Sequence, residues 1–588
     1  MMLEVIHVDT DVLVIGGGLG GCMAAIHAAN QGARVAVTDK SNIIASGAAA
    51  TGVDHVWSYI PPIHEKMGYS IEEMTEDHRL GMSAGFLRKD LFRLVAGTMY
   101  ERVLDLERFG IRFRYEDGKA PGNFRIVPQF HSVPTSFNFD GAPLKRVLTR
   151  EVKKRGAEVF NRVQMLDLLV HDGQAAGAVG VGTRSGDIYV FRAKAVVLAT
   201  GRANRIGRNL TGYDFNTRIP APFSGDGQSM AIRAGLPLIN MEFLSGRILA
   251  PCANYNPNYG DPRNTTQPAA RIIDGQGNVL VPRTFFYDWE NLGKEKWSLK
   301  MRKDYLEERR VIGEARRFMV EQHRSGGGPF YLDFSEATDE EKAYIEWSIG
   351  HEGKGTQFLR YFLGEEKADL RKNMQEYAGY SVRELSGYSA VGLWVDENLE
   401  TELKNLFAIG DVAGGIPFGA SPAAFTMGWH AGGTAAKRAK EEGELLSFDE
   451  GVVDARKRLC EEILGRKRGF YWREVETYVQ NVMDFYCGDV RSDAMLRRGL
   501  ERLEDAKGAP LKAENPHELA RSLDVKSIID VAEVVLRASM ERKETRLAPT
   551  PFRRAEYPQK DDAQWLCFLA IQKQGNDFVF TRFPVEPK

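Results

Sequence analysis

The sequence has little cysteine, no long apolar run and almost no net charge. Its five cysteines in 588 residues are scattered and form no C-x-x-C pair, which argues against a disulfide framework and against a metal or iron–sulfur site held by this chain alone. A formal net charge of −2 gives no electrostatic case for nucleic acid or an anionic membrane. No apolar stretch approaches a bilayer span, and the opening MMLEVIHVDTDVLV lacks a basic segment, a cleavage site and a twin arginine. We therefore expect a cytoplasmic protein that does not insert into a membrane.

A glycine-rich turn near the N-terminus is the most informative stretch. The apolar residues 12–15 predict a buried parallel strand, and Gly16, Gly18 and Gly21 then satisfy G-x-G-x-x-G. The first glycine allows a tight turn, the second lets a pyrophosphate approach the backbone, and the third lets the following helix pack closely on the strand. The pattern predicts a dinucleotide-binding fold.

The residues after this turn support the same interpretation. A helix over residues 20–31 would aim its N-terminal amides at the pyrophosphate. A second strand over residues 34–38 ends at Asp39, at the spacing expected for a carboxylate that binds a ribose hydroxyl. The charge of Asp39 disfavours a 2′-phosphate there, and we assign the adjacent Lys40 to the cofactor site as well.

Four later motifs follow in a fixed order. They are VVLATG, which ends at Thr200 and Gly201; SGDGQSMAIRAG, which contains Asp226; LPLINMEF; and NLFAIGD, which ends at Asp411. Together with the glycine-rich turn and a C-terminal Asp-Asp-x-x-Trp that ends at Trp565, this order resembles the flavoproteins of the succinate dehydrogenase and fumarate reductase superfamily. The resemblance spans nearly the whole chain and implies an FAD-dependent oxidoreductase.

Two details resemble the alpha subunit of adenylylsulfate reductase most closely. SGAAATG, residues 46–52, lacks the histidine that links flavin in succinate dehydrogenases, and GYSAVGLWV, residues 387–395, runs into LFAIGDVAGG. The resemblance therefore implies non-covalent FAD and, because the chain has no clusters of its own, an iron–sulfur (ferredoxin-like) electron-transfer partner.

The resemblance also implies the fold class and a domain map. The fold is α/β: a Rossmann-type FAD-binding domain with an inserted α+β capping domain and a C-terminal helical domain. The expected boundaries are 1–241 for the first part of the FAD-binding domain, 242–380 for the capping or substrate domain, 381–440 for the second part of the FAD-binding domain, 441–547 for the helical domain and 548–588 for a mostly irregular tail. We expect the tail to pack, through its aromatic residues, on its own FAD-binding domain or on a partner.

The resemblance distributes the cofactor-binding residues along FAD. The ADP half is held by Gly16, Gly18, Gly21 and Asp39, and the isoalloxazine ring lies beside Ser46, Gly47, Thr51 and Gly52. Asp226 contacts the ribityl or pyrophosphate portion, Asp411 binds the ribityl hydroxyls, and a strand ends at the site with Thr200 and Gly201. A helix over residues 425–441 follows Ala423 and Ala424, and its amides face N1 and O2 of the flavin. The alternative role for Asp226 is a helix N-cap.

The substrate side departs from the family pattern. Where dicarboxylate enzymes carry Phe-His-Pro-Thr-Gly, this chain has Phe243-Leu244-Ser245-Gly246-Arg247, so Arg247 is the candidate anion clamp at the flavin. Its alternative is an interdomain salt bridge. Tyr388 stands where adenylylsulfate reductases use a histidine, and His131, or else His55, is a candidate proton donor whose alternative is a core histidine. Arg263 and Arg271 occupy the region of the fumarate reductase proton donor, but neither can be assigned.

Three functions remain open at this point. The first is two-electron chemistry at flavin N5 on a small anionic or carbonyl-bearing substrate, with electrons exchanged with the iron–sulfur partner. The second is an electron-transfer subunit of a larger redox complex without a small-molecule substrate of its own. The third is a stand-alone oxidase like L-aspartate oxidase, which would release peroxide.

Overall fold

The computed structural model describes residues 3–50, 53, 55–116, 121–127, 130–208, 221–245, 247–251, 270–283, 292–352, 371–372, 375–381, 384–385 and 389–585. Thr51, Gly52, Arg263 and Tyr388 lie outside the described residues. Among the helices so described, none combines the length and apolar character needed to cross a membrane.

A seven-stranded sheet forms the centre of the molecule. Its strands are β1 (Val5–Ile15), β2 (Val35–Asp39), β6 (Glu158–Asn161), β7 (Val163–His171), β8 (Gln174–Gly182), β9 (Ile188–Leu198) and β17 (Leu406–Ala408). The order is β6-β2-β1-β9-β8-β7, and β17 also pairs with β9. Strands β6, β2, β1, β9 and β17 run parallel, whereas β7 and β8 are antiparallel.

The parallel strands bring the predicted cofactor residues to one edge. Their carboxyl ends meet there, so Gly16, Lys40 and Ala199 follow β1, β2 and β9 at the same edge, and Asp411 comes soon after β17. Strand β1 starts at Val5, earlier than the apolar run predicts, because its first half pairs with β9 from Val5↔Ile188 onward.

Helix α1 (Leu19–Asn30) crosses α9 (Ala420–Glu442) on one face of this sheet. A Cβ on Gly428 would lie 2.3 Å from the carbonyl oxygen of Gly20, and one on Gly432 would lie 2.3 Å from that of Ala24. Only glycine permits this approach, so α9 fixes the start of α1, which faces the cofactor groove.

The described helices are distributed over the flavin, capping and helical regions. They are α1, α2 (Pro61–Met67), α3 (Ile71–Gly81), α4 (Lys89–Phe109), α5 (Leu144–Lys154), α6 (Asp226–Arg233), α7 (Leu299–Arg324), α8 (Asp339–Glu352), α9, α10 (Glu450–Gly465), α11 (Trp472–Tyr486), α12 (Asp493–Lys507), α13 (Pro516–Glu541) and α14 (Asp562–Trp565). Helices α10 to α13 supply the predicted helical region; its exact boundaries stay predictions.

A separate five-stranded sheet lies in the inserted region. It contains β11 (Arg247–Pro251), β12 (Arg271–Asp274), β13 (Val279–Val281), β14 (Phe330–Asp333) and β15 (Gln375–Ser381), in the order β11-β15-β14-β12-β13. Its own apolar core includes Ile272, Leu332 and Met319 of α7. We call this sheet with α7 and α8 the cap.

The C-terminal tail is not irregular, and that expectation was wrong. Strands β20 (Cys567–Gln574) and β21 (Asp577–Pro584) form a hairpin, and β20 joins β10 (Leu238–Ile239), which also pairs with β16 (Gly392–Leu393). Phe568 is fully buried, and Phe583 stacks on Trp394 at 4.3 Å between ring centroids. The expectation that the tail packs on its own FAD-binding domain is therefore confirmed.

Two short sheets complete the strands. They are β3 (His55–Trp57), β4 (Arg125–Val127) and β5 (Ser136–Asn138) in the order β3-β5-β4, and the parallel pair β18 (Val490–Arg491) and β19 (Arg553–Arg554).

Candidate cofactor and active site

A groove follows the carboxyl edge of the central sheet. It encloses about 700 Å³, including the part that opens to solvent, and its walls carry most of the predicted cofactor residues. The predicted residues that line it are Gly16, Gly18, Asp39, Lys40, Ser46, Gly47, Thr200 and Asp226. Parallel sheets bind dinucleotides at this edge, so the groove is the candidate cofactor site.

The glycine-rich turn has the geometry that its sequence predicts. Gly16 has φ +107°, and a Cβ on Gly21 would lie 1.8 Å from the Gly16 carbonyl oxygen, so the helix can approach only because glycine stands there. Asp39 accepts hydrogen bonds from the amides of Gly17, at 2.8 Å, and Ser41, at 2.7 Å. Each carboxylate oxygen can accept a second hydrogen bond, so the ribose contact of Asp39 remains a prediction alongside this role in holding the turn.

Ser46 and Gly47 pack on the same turn. The Ser46 hydroxyl donates to the Gly17 carbonyl oxygen at 3.2 Å, and a Cβ on Gly47 would lie 2.8 Å from Cα of Gly18. The structure thus brings both residues to the turn that is predicted to meet the pyrophosphate. Their contact with the isoalloxazine ring stays a prediction.

A largely buried cation lies in the wall of the groove. The Lys40 ammonium donates to Asp226 and Ser224 at 2.6 Å and to Asp524 at 2.9 Å. We call these four residues the Lys40 cluster. Burial lowers the pKa of Lys40, but the two carboxylates outweigh burial and leave that pKa raised, so the ammonium stays charged. Asp226 begins α6 after the N-cap Gly225 and makes no side-chain cap hydrogen bond, so the structure gives no support to the N-cap alternative.

Asp524 was not found by sequence reasoning, because it lies on α13 in the helical region. Besides Lys40, it accepts from Arg205 at 2.8 Å and from Gln164 at 3.0 Å. Arg205 also pairs with Glu476 of α11 at 2.8 Å. Burial raises the pKa of Asp524, and Lys40 and Arg205 outweigh that effect and hold it below its ordinary value. The helical region therefore contributes charge to the wall of the groove.

Two buried hydroxyls test whether the groove fits a polar ligand. The side-chain oxygens of Thr38 and Thr200 are buried and have no hydrogen-bond partner among the described residues, and both residues line the groove. A buried hydroxyl without a partner costs roughly 1–3 kcal/mol. Together with the amides of the turn and the Lys40 cluster, these unsatisfied groups fit a dinucleotide that carries hydroxyls and phosphates.

A second buried cation lies at Asp411, in a 3-10 turn (Gly410–Val412) after β17. Arg202 donates to Asp411 at 2.8 Å and forms a weaker pair with Glu384 at 3.4 Å. We call these three residues the Arg202 cluster. Arg202 directly follows the predicted Thr200-Gly201 pair, and a charge at that position is the signal that could have identified it.

The Arg202 cluster reaches the junction between the flavin domain and the cap. The Glu384 amide donates to the Ser245 hydroxyl at 3.0 Å, and that hydroxyl donates to the Glu384 carbonyl oxygen at 3.1 Å. Strand β11 starts two residues after Ser245, and its first residue, Arg247, pairs with Ser381 of β15. Both chain crossings between the domains thus lie side by side, next to Asp411. The structure describes Arg247 by its backbone alone, so the role of its guanidinium stays a prediction.

The predicted start of the helix after Ala424 was wrong. Helix α9 begins at Ala420, and the Ala423 amide already donates to the Gly419 carbonyl oxygen at 3.0 Å. This amide is therefore not free for N1 or O2 of a flavin. Pro422 in the first turn was the missed signal, since proline is favoured where the helix starts. Ala424 still lies close to the cofactor turns, because its Cα is 3.7 Å from where a Cβ of Gly410 would be.

His131 belongs to a chain of buried hydrogen bonds. Nε2 of His78 lies 2.6 Å from the Pro417 carbonyl oxygen and must donate, which leaves Nδ1 of His78 to accept from Nε2 of His131 at 3.2 Å. Nδ1 of His131 then accepts from the Thr135 hydroxyl at 2.9 Å. Burial lowers the pKa of His78 to about 4, which keeps it neutral. Both ring nitrogens of His131 are thus engaged inside the protein, which favours the core-histidine alternative over the proton donor.

Arg271 is also engaged within the cap. It pairs with Asp333 of β14 and with Glu336 at 2.7 Å. Its guanidinium therefore ties the strands of the cap together. His55 lies on β3, and its ring centroid is 6.5 Å from that of Phe130.

Comparisons with known proteins agree with this geometry. A family model described as FAD binding domain matches residues 11–424, and one described as Fumarate reductase flavoprotein C-term matches residues 476–588. The chain belongs to the FAD binding domain family. The predicted superfamily, the FAD cofactor and the α/β fold class are confirmed, and the protein is an FAD-dependent oxidoreductase.

Two curated relatives and one solved structure illustrate the likeness. The Haemophilus influenzae fumarate reductase flavoprotein subunit is 26% identical over 609 residues, which cover 95% of this chain and 91% of that protein. One subunit of the fumarate reductase (CoM/CoB) of Methanothermobacter marburgensis is 25% identical, with 92% and 93% covered. The structure of adenylylsulfate reductase from Archaeoglobus fulgidus matches with a TM-score of 0.82 at 23% identity over 99% of this chain and 96% of that one, a likeness that shows the fold.

Proposed function

We propose that the protein is the flavoprotein subunit of a redox complex, and that it carries out two-electron chemistry on a small anionic or carbonyl-bearing substrate. The carrying observation is the junction at Ser245 and Glu384, where the two chain crossings to the cap meet beside Asp411. A substrate held under the cap at this junction would lie next to the groove. Ligand sites are common at interfaces between domains.

Arg247 is the proposed anion clamp at the junction. It is the first residue of β11, so its backbone is fixed by the cap sheet through the pair with Ser381. A guanidinium keeps its charge at any working pH and offers a planar fork that matches a carboxylate, a sulfate or a polarised carbonyl.

The groove is proposed to hold FAD without a covalent link. When bound, FAD supplies the two-electron redox chemistry, and the protein supplies position and electrostatics. The Thr38 and Thr200 hydroxyls are available to its polar groups, and Lys40, Ser224 and Asp226 line the groove. Residues 46–52 contain no histidine to form a covalent link.

An iron–sulfur protein is the proposed electron partner. The Haemophilus influenzae and Methanothermobacter marburgensis relatives are both named as subunits, so each works within a complex. The five scattered cysteines of this chain offer no cluster motif, so electrons would pass to clusters held by another chain.

The second candidate is an electron-transfer subunit without a small-molecule substrate of its own. It is favoured by the engagement of His131 with His78 and Thr135, and of Arg271 with Asp333, because these two of the candidates for acid chemistry are used inside the protein.

Anaerobic flavin spectroscopy separates the two candidates. The FAD-loaded protein, reduced chemically, is mixed with fumarate or with adenylylsulfate, which the relatives' names suggest, and the oxidised protein is mixed with sulfite or succinate. Rapid saturable reoxidation or reduction by any of these supports a substrate site. No change with any of them, together with rapid electron exchange with a reduced ferredoxin, supports the electron-transfer candidate. Peroxide release from the aerobic protein with L-aspartate would instead indicate the stand-alone oxidase.

Variants of Arg247 test its assigned role. Arg247→Ala is expected to lower the rate of flavin turnover by substrate by about 10²–10³-fold, with Arg247→Lys in between, because a fixed charge at the reacting centre is lost. FAD content and melting temperature should barely change. Arg271→Ala is the matched control, since its ion pairs lie within the cap: it should lower stability and leave the rate per bound flavin intact. The opposite pattern would make Arg247 a structural bridge.

A further inference from the structure

Lys145 carries a buried positive charge behind the glycine-rich turn. It lies in the first turn of α5 and is only 2% exposed. Its ammonium donates to the Gly17 carbonyl oxygen and lies 3.4 Å from Sγ of Cys22. Within the part of the chain that the structure describes, no carboxylate pairs with it. A buried ammonium without a directly paired carboxylate is costly, so its retention here calls for a compensating negative group.

Three donors converge on the carbonyl oxygen of Gly17. Besides Lys145, they are the Ser46 hydroxyl at 3.2 Å and the Cys22 thiol at 3.4 Å. On its other side, the Gly17 amide donates to Asp39 at 2.8 Å. Gly17 is therefore held from both sides, although it does not itself line the groove.

Because the peptide is planar, these contacts to Gly17 also fix the direction of the Gly18 amide. In a trans peptide, the carbonyl of Gly17 and the amide of Gly18 point in opposite directions. Lys145 holds the carbonyl on the interior side, and Gly18 lines the groove. The Gly18 amide thus points away from Lys145, and it donates to no residue that the structure describes. It is a free donor next to the groove.

We propose that Lys145 is a positioning residue for the diphosphate of the cofactor. It fixes the Gly17–Gly18 peptide with the amide of Gly18 available to an anion, and it adds a positive charge directly behind that peptide. A diphosphate in the groove would in turn supply the negative charge that Lys145 lacks. This attraction is stronger in a buried site than in water, because the effective dielectric constant is low. The proposal rests on FAD binding and is independent of the substrate.

Titration of the apoprotein with FAD and with ADP tests this proposal. Lys145→Met should weaken the binding of both ligands by about 10- to 100-fold, the range of a hydrogen bond to a charged group. Lys145→Arg keeps the charge and should retain most of the affinity. Lys153→Met is the matched control on the same helix, because Lys153 is exposed; it should bind both ligands like the unaltered protein.

Melting temperatures with and without FAD distinguish a positioning role of Lys145 from a purely structural one. Without ligand, Lys145→Met should melt at the same temperature as the unaltered protein or higher, because an uncompensated buried charge is gone. With FAD, its rise in melting temperature should be smaller. Unchanged ADP and FAD affinity in Lys145→Met would overturn the proposal, as would equal losses of stability with and without FAD.

A second variant keeps the test decisive if Lys145→Met does not fold. Lys145→Gln retains a donor for the Gly17 carbonyl but no charge, and it should show the same direction of loss for FAD and ADP. Normal ADP binding by Lys145→Gln would overturn the charge role. Because ADP binding requires neither substrate nor partner, failure of this proposal is distinguishable from failure of the proposed function.

Discussion

The Lys40 cluster and the Arg202 cluster share one arrangement but differ in how close their ion pairs are. In the Lys40 cluster, a buried ammonium joins Asp226 in the groove to Asp524 of the helical region, at 2.6 and 2.9 Å. In the Arg202 cluster, a buried guanidinium joins Asp411 to Glu384 at the cap junction, at 2.6 and 3.4 Å. Each cation thus connects a carboxylate that is predicted to bind the cofactor to a second region of the protein.

The difference lies in the second contact. The helical region is held to the groove by a close ion pair, and Asp524 has a further partner in Arg205. The cap is held by a longer pair between Arg202 and Glu384. Because an ion pair weakens with distance, the helical region is expected to be a fixed wall, and the cap junction is expected to part more easily. Four experiments can break or sharpen this comparison.

Acid should weaken the region of α2 and α3, which contacts α7 of the cap through the Asp77–Arg302 pair, before it weakens the helical region. Burial lowers the pKa of His64 and of His78 from 6.5 to about 4 each, so the unfolded chain takes up these protons before the folded protein does. The free energy of unfolding is therefore unaffected above pH 6.5, and it falls by about 1.4 kcal/mol per pH unit for each histidine as the pH drops toward 4. Asp524, with a lowered pKa, stays charged through this window.

Urea unfolding between pH 7 and pH 4.5 measures this slope. His78→Gln should remove about one proton's share of it, and His171→Gln, at a more exposed position on β7, should leave it unchanged. Hydrogen exchange should show α2 and α3, which carry the two histidines, opening before α13. Simultaneous opening of all three helices would contradict the comparison.

Loss of Asp524 should be the largest effect of a single substitution. Asp524→Asn leaves Lys40 and Arg205 with one carboxylate fewer in a buried site, and breaking a buried pair costs about 3–5 kcal/mol. Asp530→Asn on the same helix is the matched control; its pair with Arg233 is partly exposed and should contribute less than about 1 kcal/mol. Chemical unfolding of both variants checks the prediction, and equal losses would remove the special place of Asp524.

Asp39 should affect cofactor binding more than folding. Asp39→Ala is expected to weaken FAD binding by about 1–3 kcal/mol, through loss of the ribose acceptor and of the grip on the Gly17 amide. Asp39→Asn keeps one acceptor oxygen and should lie between. Flavin retained after dilution measures the effect. Full retention by Asp39→Ala, with reduced stability, would leave Asp39 only the role of holding the turn.

The cap junction should give a smaller loss of stability than Asp524. Glu384→Gln keeps the shape of the side chain and removes one charge of a buried 3.4 Å pair, so the expected loss of stability is about 1–3 kcal/mol. Limited proteolysis should cut the cap faster in this variant and leave α13 intact. A loss as large as that of Asp524→Asn would show that the two clusters hold their neighbouring regions equally firmly.

FAD release completes the description of the cofactor site. Because residues 46–52 contain no histidine, we expect trichloroacetic acid to release the flavin into the supernatant. Flavin that stays with the protein pellet would contradict the non-covalent prediction.

The sequence predicted the flavin half of the molecule well, because local patterns determine it. Helix α1 was expected at residues 20–31 and spans Leu19–Asn30, and β2 was expected at residues 34–38 and spans Val35–Asp39. Glycine spacing and strand patterns act over a few residues, so they can be read without the rest of the fold. The groove residues from Gly16 to Lys40 follow directly from them.

The missed residues act across long distances in sequence. Asp524 lies 484 positions after Lys40, and no local pattern connects the two. Lys145 did leave a signal, since it shares the buried face of α5 with Leu148, Thr149 and Val152. A lysine on the apolar face of an amphipathic helix indicates a buried charge and therefore a candidate functional residue. The sequence also does not show that His78 lies beside His131, which is the contact that favours the core-histidine alternative.

Protein synthesis runs from residue 1 toward residue 588, and the groove cannot be finished in that order. Lys40 emerges from the ribosome long before Asp524. Strand β10 likewise cannot pair with β20 until that strand, which begins at Cys567, has been made. The nascent chain therefore carries a glycine-rich turn with one wall of its site still missing. Stable flavin loading is accordingly expected only after α13 has been made, and a ribosome-stalled fragment that ends before α13 should hold the cofactor poorly.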